Sequence, residues 1–328
     1  MKRLCIAWIW LVAWGPAGTG ACAQDKLPRT IKLVVPSAAG GVHDVIARLW
    51  ADRLQADLGT IVIDNRGSSG GAIAVVEVAR AQPDGGMLLL ASNSTHVLRP
   101  LIWGASGKQL AFDPIKDFQM IVVFADNATA LAVTAALPVR TLKELVALAK
   151  AGPGKLTYAH AGVGASSHVA AEMFKQLAGG LDILPVPYRG MGPAQTDVIN
   201  GTISLFVPNI TGQVVGLHTA GQIRLLAVNA AARHPSVPEI ETAVEGGLPD
   251  MITQNFFAIF APIGLPRAMI ERVNVATRQA VAEKAYQERL AQAGFDVIVD
   301  MDVAKSAQFL KDELARWDRV IKTAGIKG

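Results

Sequence analysis

Short loops of glycine, alanine and serine follow several apolar runs of this chain, and these loops carry the groups that could bind a ligand. The first loop, at 36–41, comes directly after the apolar run at 31–35 and directly before a segment with helical spacing. A helix that begins at such a loop has backbone N–H groups without intrahelical partners, and its N-terminus carries partial positive charge. The pattern therefore indicates an anion-binding site at the end of a strand.

The spacing of apolar residues predicts the elements that position these loops. Strands alternate with helices in the first third of the chain, at 31–35, 45–58, 61–63, 72–81 and 87–91. Such alternation favours right-handed crossovers and a parallel sheet. The loops at 36–41, 65–71 and 92–96 should then lie at one edge of that sheet, where open α/β sheets bind ligands.

The same pattern starts again after a polar, less regular stretch at 113–126. Thr141 and Glu144 have the spacing of a capping box, which opens a helix that runs to residue 151. Further elements are expected at 156–160, 168–178, 183–186, 203–207 and 223–228. Since glycine-rich loops again follow the strands, the chain is predicted to form two α/β lobes, each with a parallel-rich sheet flanked by helices, around a cleft.

The C-terminal part decides how the two lobes are joined. A strand at 257–261 is followed by amphipathic helices at 267–284 and 303–323. The apolar face of each helix must pack against a sheet. If these helices return to the first lobe, the chain crosses between lobes twice, which makes a hinge. The expected organisation is a signal peptide at 1–23, lobe 1 at 24–126 plus 236–328, and lobe 2 at 127–235.

The N-terminus has the pattern of a secretory leader. Lys2 and Arg3 precede an apolar stretch at 4–14, which is too short to span a bilayer. Small residues then lead to a cleavage site after Ala23, so Gln24 should begin the mature protein, and the expected location is the periplasm. The alternative is a lipoprotein acylated at Cys22, although Thr19 stands where such sites usually carry leucine.

Composition and the absence of known motifs argue against several classes of function. Both cysteines, Cys5 and Cys22, fall inside the leader, and the six histidines share no metal-ligand spacing, so no metal and no cofactor is expected. The charges are scattered, which argues against nucleic acid as a partner. Ser69 and Ser166 lie outside any GxSxG motif, and no phosphate-binding GxxxxGK[ST] motif occurs. No catalytic residue is therefore predicted, and an exported hydrolase is the disfavoured alternative.

Four segments of the chain resemble the Bug-type periplasmic solute receptors, the substrate-binding proteins of tripartite tricarboxylate transporters. They are PSAAGGVHDVIARLWADRL from Pro36, IDNRGSSGGAIAVVEVARAQPDG from Ile63, AGVGASSHVAAEMF from Ala161 and VPYRGMGPAQTDVING from Val186. The resemblance implies a Venus-flytrap fold of type II that closes on a small carboxylate. It also implies membrane transporter subunits as partners. A ligand sensor for a two-component kinase is the alternative role, and a monomer is expected.

The resemblance also implies which residues of lobe 1 contact the ligand. These are Ser37, Ala38, Ala39, Gly40, Gly41, Asp44, Ser68, Ser69, Ser92 and Thr95. Two roles stay open for Asp44, which either satisfies N–H groups at the helix start or meets an ammonium group if the ligand is an amino acid. Ser69 could equally cap its helix. His43 is expected at the surface, and Arg66 is expected to bridge to the third loop.

In lobe 2 the corresponding ligand contacts are Gly162, Gly164, Ala165, Ser166, His168, Arg189 and Asn209. Ala165 stands where the family usually has serine or threonine, so Ser166 is the candidate replacement for that hydroxyl. His168 either contacts the ligand or holds the loop through a hydrogen bond to backbone. Arg189 is either a counter-ion for the ligand or a residue of the rim, and Asp197 is expected to anchor the loop.

Overall fold

The computed structural model describes residues 27–67, 71–107, 111–323 and 325–326. The predicted signal peptide, with Cys22, and the predicted ligand residues Ser68 and Ser69 lie outside the described residues. In the part of the chain that the structure describes, no helix has both the length and the hydropathy that crossing a membrane requires.

The first sheet has six strands, which positions the loops of lobe 1. In chain order they are β1 (Thr30–Val35), β2 (Thr60–Asn65), β3 (Met87–Ser92), β4 (Phe118–Asp126), β10 (Phe257–Pro262) and β11 (Asp296–Val297). Their order in the sheet is β11-β4-β10-β3-β1-β2. β1 pairs in parallel with β2 and β3, so the loops after these three strands meet at one edge, as predicted. β10 is antiparallel to both β3 and β4.

The irregular stretch predicted at 113–126 is wrong for most of its length. Phe118–Asp126 is β4, a nine-residue strand with seven buried residues, which lies between β10 and β11. Only the residues before it form a turn, in which the Asp113 N–H donates to the Asp117 carboxylate at 2.7 Å. A strand covered on both faces lacks alternation of apolar and polar residues, so its apolar run gives no period-two signal between its acidic ends.

The second sheet has five strands. They are β5 (Ala130–Thr134), β6 (Leu156–His160), β7 (Ile183–Pro187), β8 (Leu205–Phe206) and β9 (Ile223–Val228), in the order β7-β6-β8-β5-β9. β6 is parallel to β7 and β8, whereas β5 is antiparallel to β8 and β9. The four strands predicted for this lobe, β6, β7, β8 and β9, therefore run in one direction, and the strand that the sequence analysis did not predict is β5, which lies antiparallel between β8 and β9.

Ten helices of the described chain flank these sheets. They are α1 (Val42–Leu58), α2 (Ala72–Ala79), α3 (Arg99–Ala105), α4 (Leu142–Ala151), α5 (Ser166–Leu177), α6 (Met191–Ile199), α7 (Gly212–Thr219), α8 (Arg267–Ala282), α9 (Lys284–Gln292) and α10 (Val303–Thr323). On one face of the first sheet, the buried Trp50 of α1 donates its indole N–H to Thr277 of α8 at 3.1 Å. On the other face α10 buries Trp317. The C-terminal helices thus pack on the first sheet, as predicted.

The chain passes between the two sheets at 127–129 and again at 229–256. Asn127 and Asn255 exchange backbone hydrogen bonds of 3.2 and 2.9 Å, and the Thr129 N–H donates to the Thr253 carbonyl at 3.2 Å. Two adjacent crossing segments give the geometry of a hinge. The backbone around Thr242 bonds to Val228 of β9, and the predicted lobe boundaries at 126 and 235 stay a prediction.

Candidate functional site

Two strand-end loops of lobe 1 pack backbone against backbone. We define loop A as residues 36–41, between β1 and α1, and loop B as residues 66, 67 and 71, the described part of the segment between β2 and α2. A Cβ at Gly67 would lie 2.7 Å from the Ala38 nitrogen, and one at Gly71 would overlap the Pro36 carbonyl oxygen. Gly71 also has φ of +85°, which favours glycine. These glycines let loop B lie on loop A, so the two loops form one surface.

Asp44 organises loop A. Its carboxylate accepts the Gly40 N–H at 2.9 Å and the Arg48 guanidinium N–H at 3.0 Å. Burial by itself would raise the pKa of Asp44, but the hydrogen bonds from Arg48 and Gly40 outweigh that effect and hold the pKa below its usual value. The ionised carboxylate thus fills the first of its two possible roles, satisfying N–H groups at the helix start, and its contact with ligand stays a prediction.

His43 is not the surface residue that the sequence predicts. Its side chain is half-buried in the first turn of α1, with Nε2 2.8 Å from the Ser92 hydroxyl and the ring edge-on to Phe257 at 5.3 Å. Burial, and then the charge of Arg99, lower the pKa of His43 to about 4. The neutral imidazole therefore ties loop A to the end of β3. His43 lies in the first predicted turn of a helix, next to the end of a predicted neighbouring strand. That position could have indicated its contact with Ser92.

Arg66 also departs from its prediction. Its guanidinium pairs with Asp64 of β2 at 2.7 Å and with Glu77 of α2. The bridge to the third loop is therefore wrong, because two carboxylates of neighbouring elements hold this side chain within its own part of lobe 1.

The segment after β3 is helical instead of a loop. We define loop C as residues 92–98, most of which form a π-helical turn, Ser94–Leu98, that continues into α3. The buried Thr95 hydroxyl accepts the Ser92 N–H at 3.0 Å and donates to the Ser92 carbonyl at 3.1 Å. Thr95 and Ser92 thus lie at the predicted place, with hydroxyls that hold the turn and contact His43, respectively.

Loop C is where the lobes touch. We define loop D as residues 161–165, between β6 and α5 of lobe 2. The Ser166 N–H of α5 donates to the Ser94 hydroxyl at 3.0 Å, and a Cβ at Gly164 would lie 3.1 Å from the Arg99 Cα. On its other side, the Asn93 amide donates to the Gln254 carbonyl in the hinge at 3.1 Å. Of the three hydroxyls that the sequence places near the end of β3, those of Ser92, Ser94 and Thr95, the sequence analysis selects Ser92 and Thr95 and passes over Ser94, whose partner lies 72 positions along the chain.

The first amide of α5, that of Ser166, points at lobe 1. Its N-cap residue, Ala165, makes no side-chain cap, and the preceding Gly162 and Gly164 have φ of +99° and +78°. Ser167 turns inward and accepts the Ala161 N–H at 3.1 Å, which fixes loop D to its own helix. The backbone of loop D and the first amide of α5 are thus brought to the cleft, as the sequence predicts.

A buried cluster lies behind loop D. The rings of His160 and His168 are 4.8 Å apart, while Glu172 accepts the Tyr158 hydroxyl at 2.6 Å and pairs with Lys175 at 2.8 Å. Burial, and then the neighbouring His160, lower the pKa of His168 to about 4. Among the described residues no hydrogen bond joins the His168 ring to backbone, so that alternative finds no support there.

The outer loops of lobe 2 complete the site. Arg189 is exposed and makes no ion pair with the described residues, which agrees with a place on the rim. The Tyr188 hydroxyl donates to Asp197 at 2.5 Å, so Asp197 anchors this loop as predicted. Asn209 lies beside Thr129 in the hinge and has a buried amide nitrogen that finds no partner in the described chain. No set of three metal-binding side chains is grouped within the described ranges.

Two α/β lobes that are joined by two crossovers, with strand-end loops meeting between them, define a solute-binding receptor. The family model described as "Tripartite tricarboxylate transporter family receptor" matches residues 46–326. The chain belongs to this family, whose members are periplasmic solute receptors and not enzymes.

Known relatives resemble the chain over nearly its whole length. Protein BugT of Bordetella pertussis is 32% identical over 309 residues, which cover 93% of this chain and 92% of BugT. The structure of R. palustris Rpa4515 with adipate is 32% identical, covers 91% of this chain and 98% of that chain, and has a TM-score of 0.85. MatC from Rhodopseudomonas palustris with bound malate is 29% identical, with coverages of 89% and 99% and a TM-score of 0.82.

Proposed function

We propose that this protein captures a small carboxylate between its two lobes in the periplasm and delivers it to the membrane subunits of a tripartite transporter. The observation that carries the proposal is the meeting of loop C with the N-terminus of α5, where a hydroxyl of one lobe already accepts an amide of the other. Relatives that bind adipate and malate support the same class of ligand.

The N-terminus of α5 suits an anion. This helix has no side-chain cap, and its N-terminus carries a partial positive charge directed at loop D, whereas the ionised Asp44 already lies at the start of α1. One carboxylate at such an N-terminus gains about 0.3–1 kcal/mol at an exposed site, and more when it is partly buried. Closing the lobes around the ligand supplies that burial, so affinity depends on the closing equilibrium.

Closure also explains how a membrane partner would recognise the loaded receptor. A ligand that binds both lobes stabilises the arrangement in which they touch. A partner that contacts both lobes at once then binds the loaded protein in preference to the empty one. We propose transporter subunits as this partner, export by the leader at 1–23, and action as a monomer. Pull-down of detergent-solubilised membranes with loaded receptor separates transporter subunits from a sensor kinase.

A thermal-shift panel tests the proposal directly. The mature chain would be heated with acetate, succinate, malate, adipate, citrate, aspartate, glucose and calcium chloride. An acid at about 100 times its Kd stabilises the folded state by about 2.7 kcal/mol, which shifts Tm by several degrees. A response confined to glucose or calcium would exclude the carboxylate receptor, and a response to aspartate alone would favour an ammonium contact at Asp44.

A further inference from the structure

A second contact between the lobes involves neither loop C nor loop D. Asn127, in the first crossing segment, is fully buried, and its side-chain amide donates to the Ile210 carbonyl at 2.7 Å and to the Gly294 carbonyl. Ile210 follows β8 of the second sheet, and Gly294 lies between α9 and β11 of the first. One side-chain amide thus bonds to the backbone of both lobes. We define the interlobe clasp as Asn127, Ile210 and Gly294.

Gly294 lets the two chain segments approach each other backbone to backbone. A Cβ at Gly294 would overlap the Ile210 carbonyl oxygen, and a Cβ at Gly212 would lie 3.5 Å from the Gln292 carbonyl oxygen. Gly294 also has φ of +90°, a conformation that favours glycine. This turn of lobe 1 belongs to neither crossing segment, so only noncovalent contacts hold it against lobe 2.

A row of aromatic rings joins the interlobe clasp to the ligand loops. Phe295, directly after Gly294, is buried and packs edge-on against Phe257, with 5.4 Å between the ring centroids. Phe257 packs edge-on against His43 at 5.3 Å, and His43 contacts the Ser92 hydroxyl at 2.8 Å. Because close-packed side chains transmit displacements, a shift of Gly294 relative to lobe 2 would reach the ends of the strands that carry loops A and C.

We propose that Asn127 is a positioning residue for ligand capture, which acts through Gly294 and Ile210 to hold the lobes at the angle at which loops C and D meet. This inference rests on the proposed carboxylate function. A rotation that separates Gly294 from Ile210 takes from Asn127 one of its two acceptors, and a buried polar group without a partner is unfavourable. The interlobe clasp therefore favours the arrangement in which loops C and D touch before a ligand arrives.

Isothermal titration and small-angle X-ray scattering of two variants test the inference. Asn274→Ala is the matched control for Asn127→Ala, because Asn274 is also buried and donates to two carbonyls, those of Ile121 and Met301, which both lie in lobe 1. Both variants should lower Tm to a similar extent. Only Asn127→Ala should have a larger radius of gyration without ligand. It should also bind the tightest acid of the panel about five- to tenfold more weakly, within the range of about 2- to 13-fold for one net hydrogen bond.

Two outcomes separate this inference from the proposed function. A radius of gyration and an affinity of Asn127→Ala that equal those of Asn274→Ala would overturn the inference and leave the carboxylate function intact. If wild type binds none of the acids, the proposed function fails, and the scattering of the ligand-free proteins still decides whether Asn127 holds the lobes together.

A second pair of variants tests the interlobe clasp if Asn127→Ala does not fold. Gly294→Ala places a methyl group against the Ile210 carbonyl oxygen, and Gly247→Ala is its control, because Gly247 has a similar φ of +94° and open space around its Cβ. We expect a larger radius of gyration and weaker binding in Gly294→Ala alone. Equal values in these two variants would overturn the inference.

Discussion

Two consecutive helices of lobe 2 begin in opposite ways. α4 starts with Thr141, whose hydroxyl accepts the Glu144 N–H at 3.2 Å while the Glu144 carboxylate accepts the Thr141 N–H at 3.3 Å. α5 starts with Ala165, which has no side-chain cap, and its first amide donates across the cleft to Ser94. The side-chain cap of α4 thus lies within its own lobe, whereas the first amide of α5 is satisfied by the other lobe.

The contrast extends to the third residue of each helix. In α4 this is the exposed Glu144 of the capping box, and in α5 it is the buried His168. Because α4 follows β5 and α5 follows β6, and these two strands run in opposite directions, the chain leaves opposite edges of the sheet to enter the two helices. A cap within the lobe stabilises α4 whether the lobes are together or apart, whereas the first amide of α5 keeps its partner only while the lobes are in contact.

A side chain at Gly164 should have the largest effect on the contact between the N-terminus of α5 and lobe 1. In Gly164→Val the new Cβ would press on the Arg99 backbone at 3.1 Å, so the lobes could not meet as they do here. We expect at least a 100-fold loss of affinity for the tightest acid of the panel, measured by isothermal titration. Gly180→Val is the matched control, because Gly180 follows the other end of α5, has a similar φ of +76° and has open space around its Cβ.

Both variants carry the strain of a β-branched residue at positive φ, which costs of order 1–3 kcal/mol. Their melting temperatures should therefore fall by similar amounts, and only Gly164→Val should lose affinity. Equal affinities in the two variants would mean that the contact between Gly164 and Arg99 plays no part in binding.

Much of the fold could be predicted because its signals are local. The strand at 156–160 and the helix at 303–323 match their predicted bounds, since apolar spacing and flanking polar residues mark them within one element. β4 could not be recognised by alternation, because helices α8 and α10 cover both of its faces. The place of β9 beyond β5 depends on strand order, which local spacing does not encode.

The candidate site divides in the same way. Loops A and D were predicted because glycines and hydroxyls follow strands, a pattern visible in the sequence. Ser94 was passed over and His43 was placed at the surface, because each takes its role from a group that is distant in the chain: the Ser166 amide and the Ser92 hydroxyl. Contacts between lobes are the part of a two-lobed site that local patterns leave out.

The buried His168 of α5 should make the stability of the protein sensitive to acid. Its pKa is about 4 in the folded protein and about 6.5 when unfolded, so the unfolded chain takes up the proton first as pH falls. Stability from this residue is full well above pH 6.5 and is lost as pH falls through 6.5 toward 4, by about 3 kcal/mol. His168→Gln should flatten that part of the pH profile, measured by urea unfolding at pH 7.5, 6, 5 and 4.

The test compares how steeply the free energy of unfolding falls with pH in wild type and in His168→Gln. A loss of stability that is the same at every pH therefore does not affect the result. His43 and His96, whose pKa values burial also lowers, to about 4 and about 3, keep part of the slope in the variant. An unchanged slope would show that His168 does not contribute to acid sensitivity.

Removing the cap of α4 should affect stability alone. In Thr141→Ala the Glu144 N–H loses its acceptor, and such a change costs about 1 kcal/mol. We expect a lower urea midpoint with an unchanged affinity for the tightest acid, measured on the same protein preparation. A loss of affinity beyond threefold would show that the N-terminus of α4, like that of α5, contributes to ligand binding, and the distinction between the two helices would then be wrong.

Ser94→Ala is the mildest test, and it isolates the bond between the lobes. The Ser166 amide would lose its acceptor at 3.0 Å, and a net hydrogen bond of about 0.5–1.5 kcal/mol corresponds to a change of about 2- to 13-fold in the closing equilibrium. We expect a loss of affinity of about fivefold, together with a larger radius of gyration of the ligand-free protein in X-ray scattering. Thr219→Ala is the control, because its hydroxyl bonds only to the Val215 carbonyl within α7. If Ser94→Ala binds more tightly instead, the hydroxyl competes with the ligand for the amide of α5, and the uncapped N-terminus is then itself the anion site.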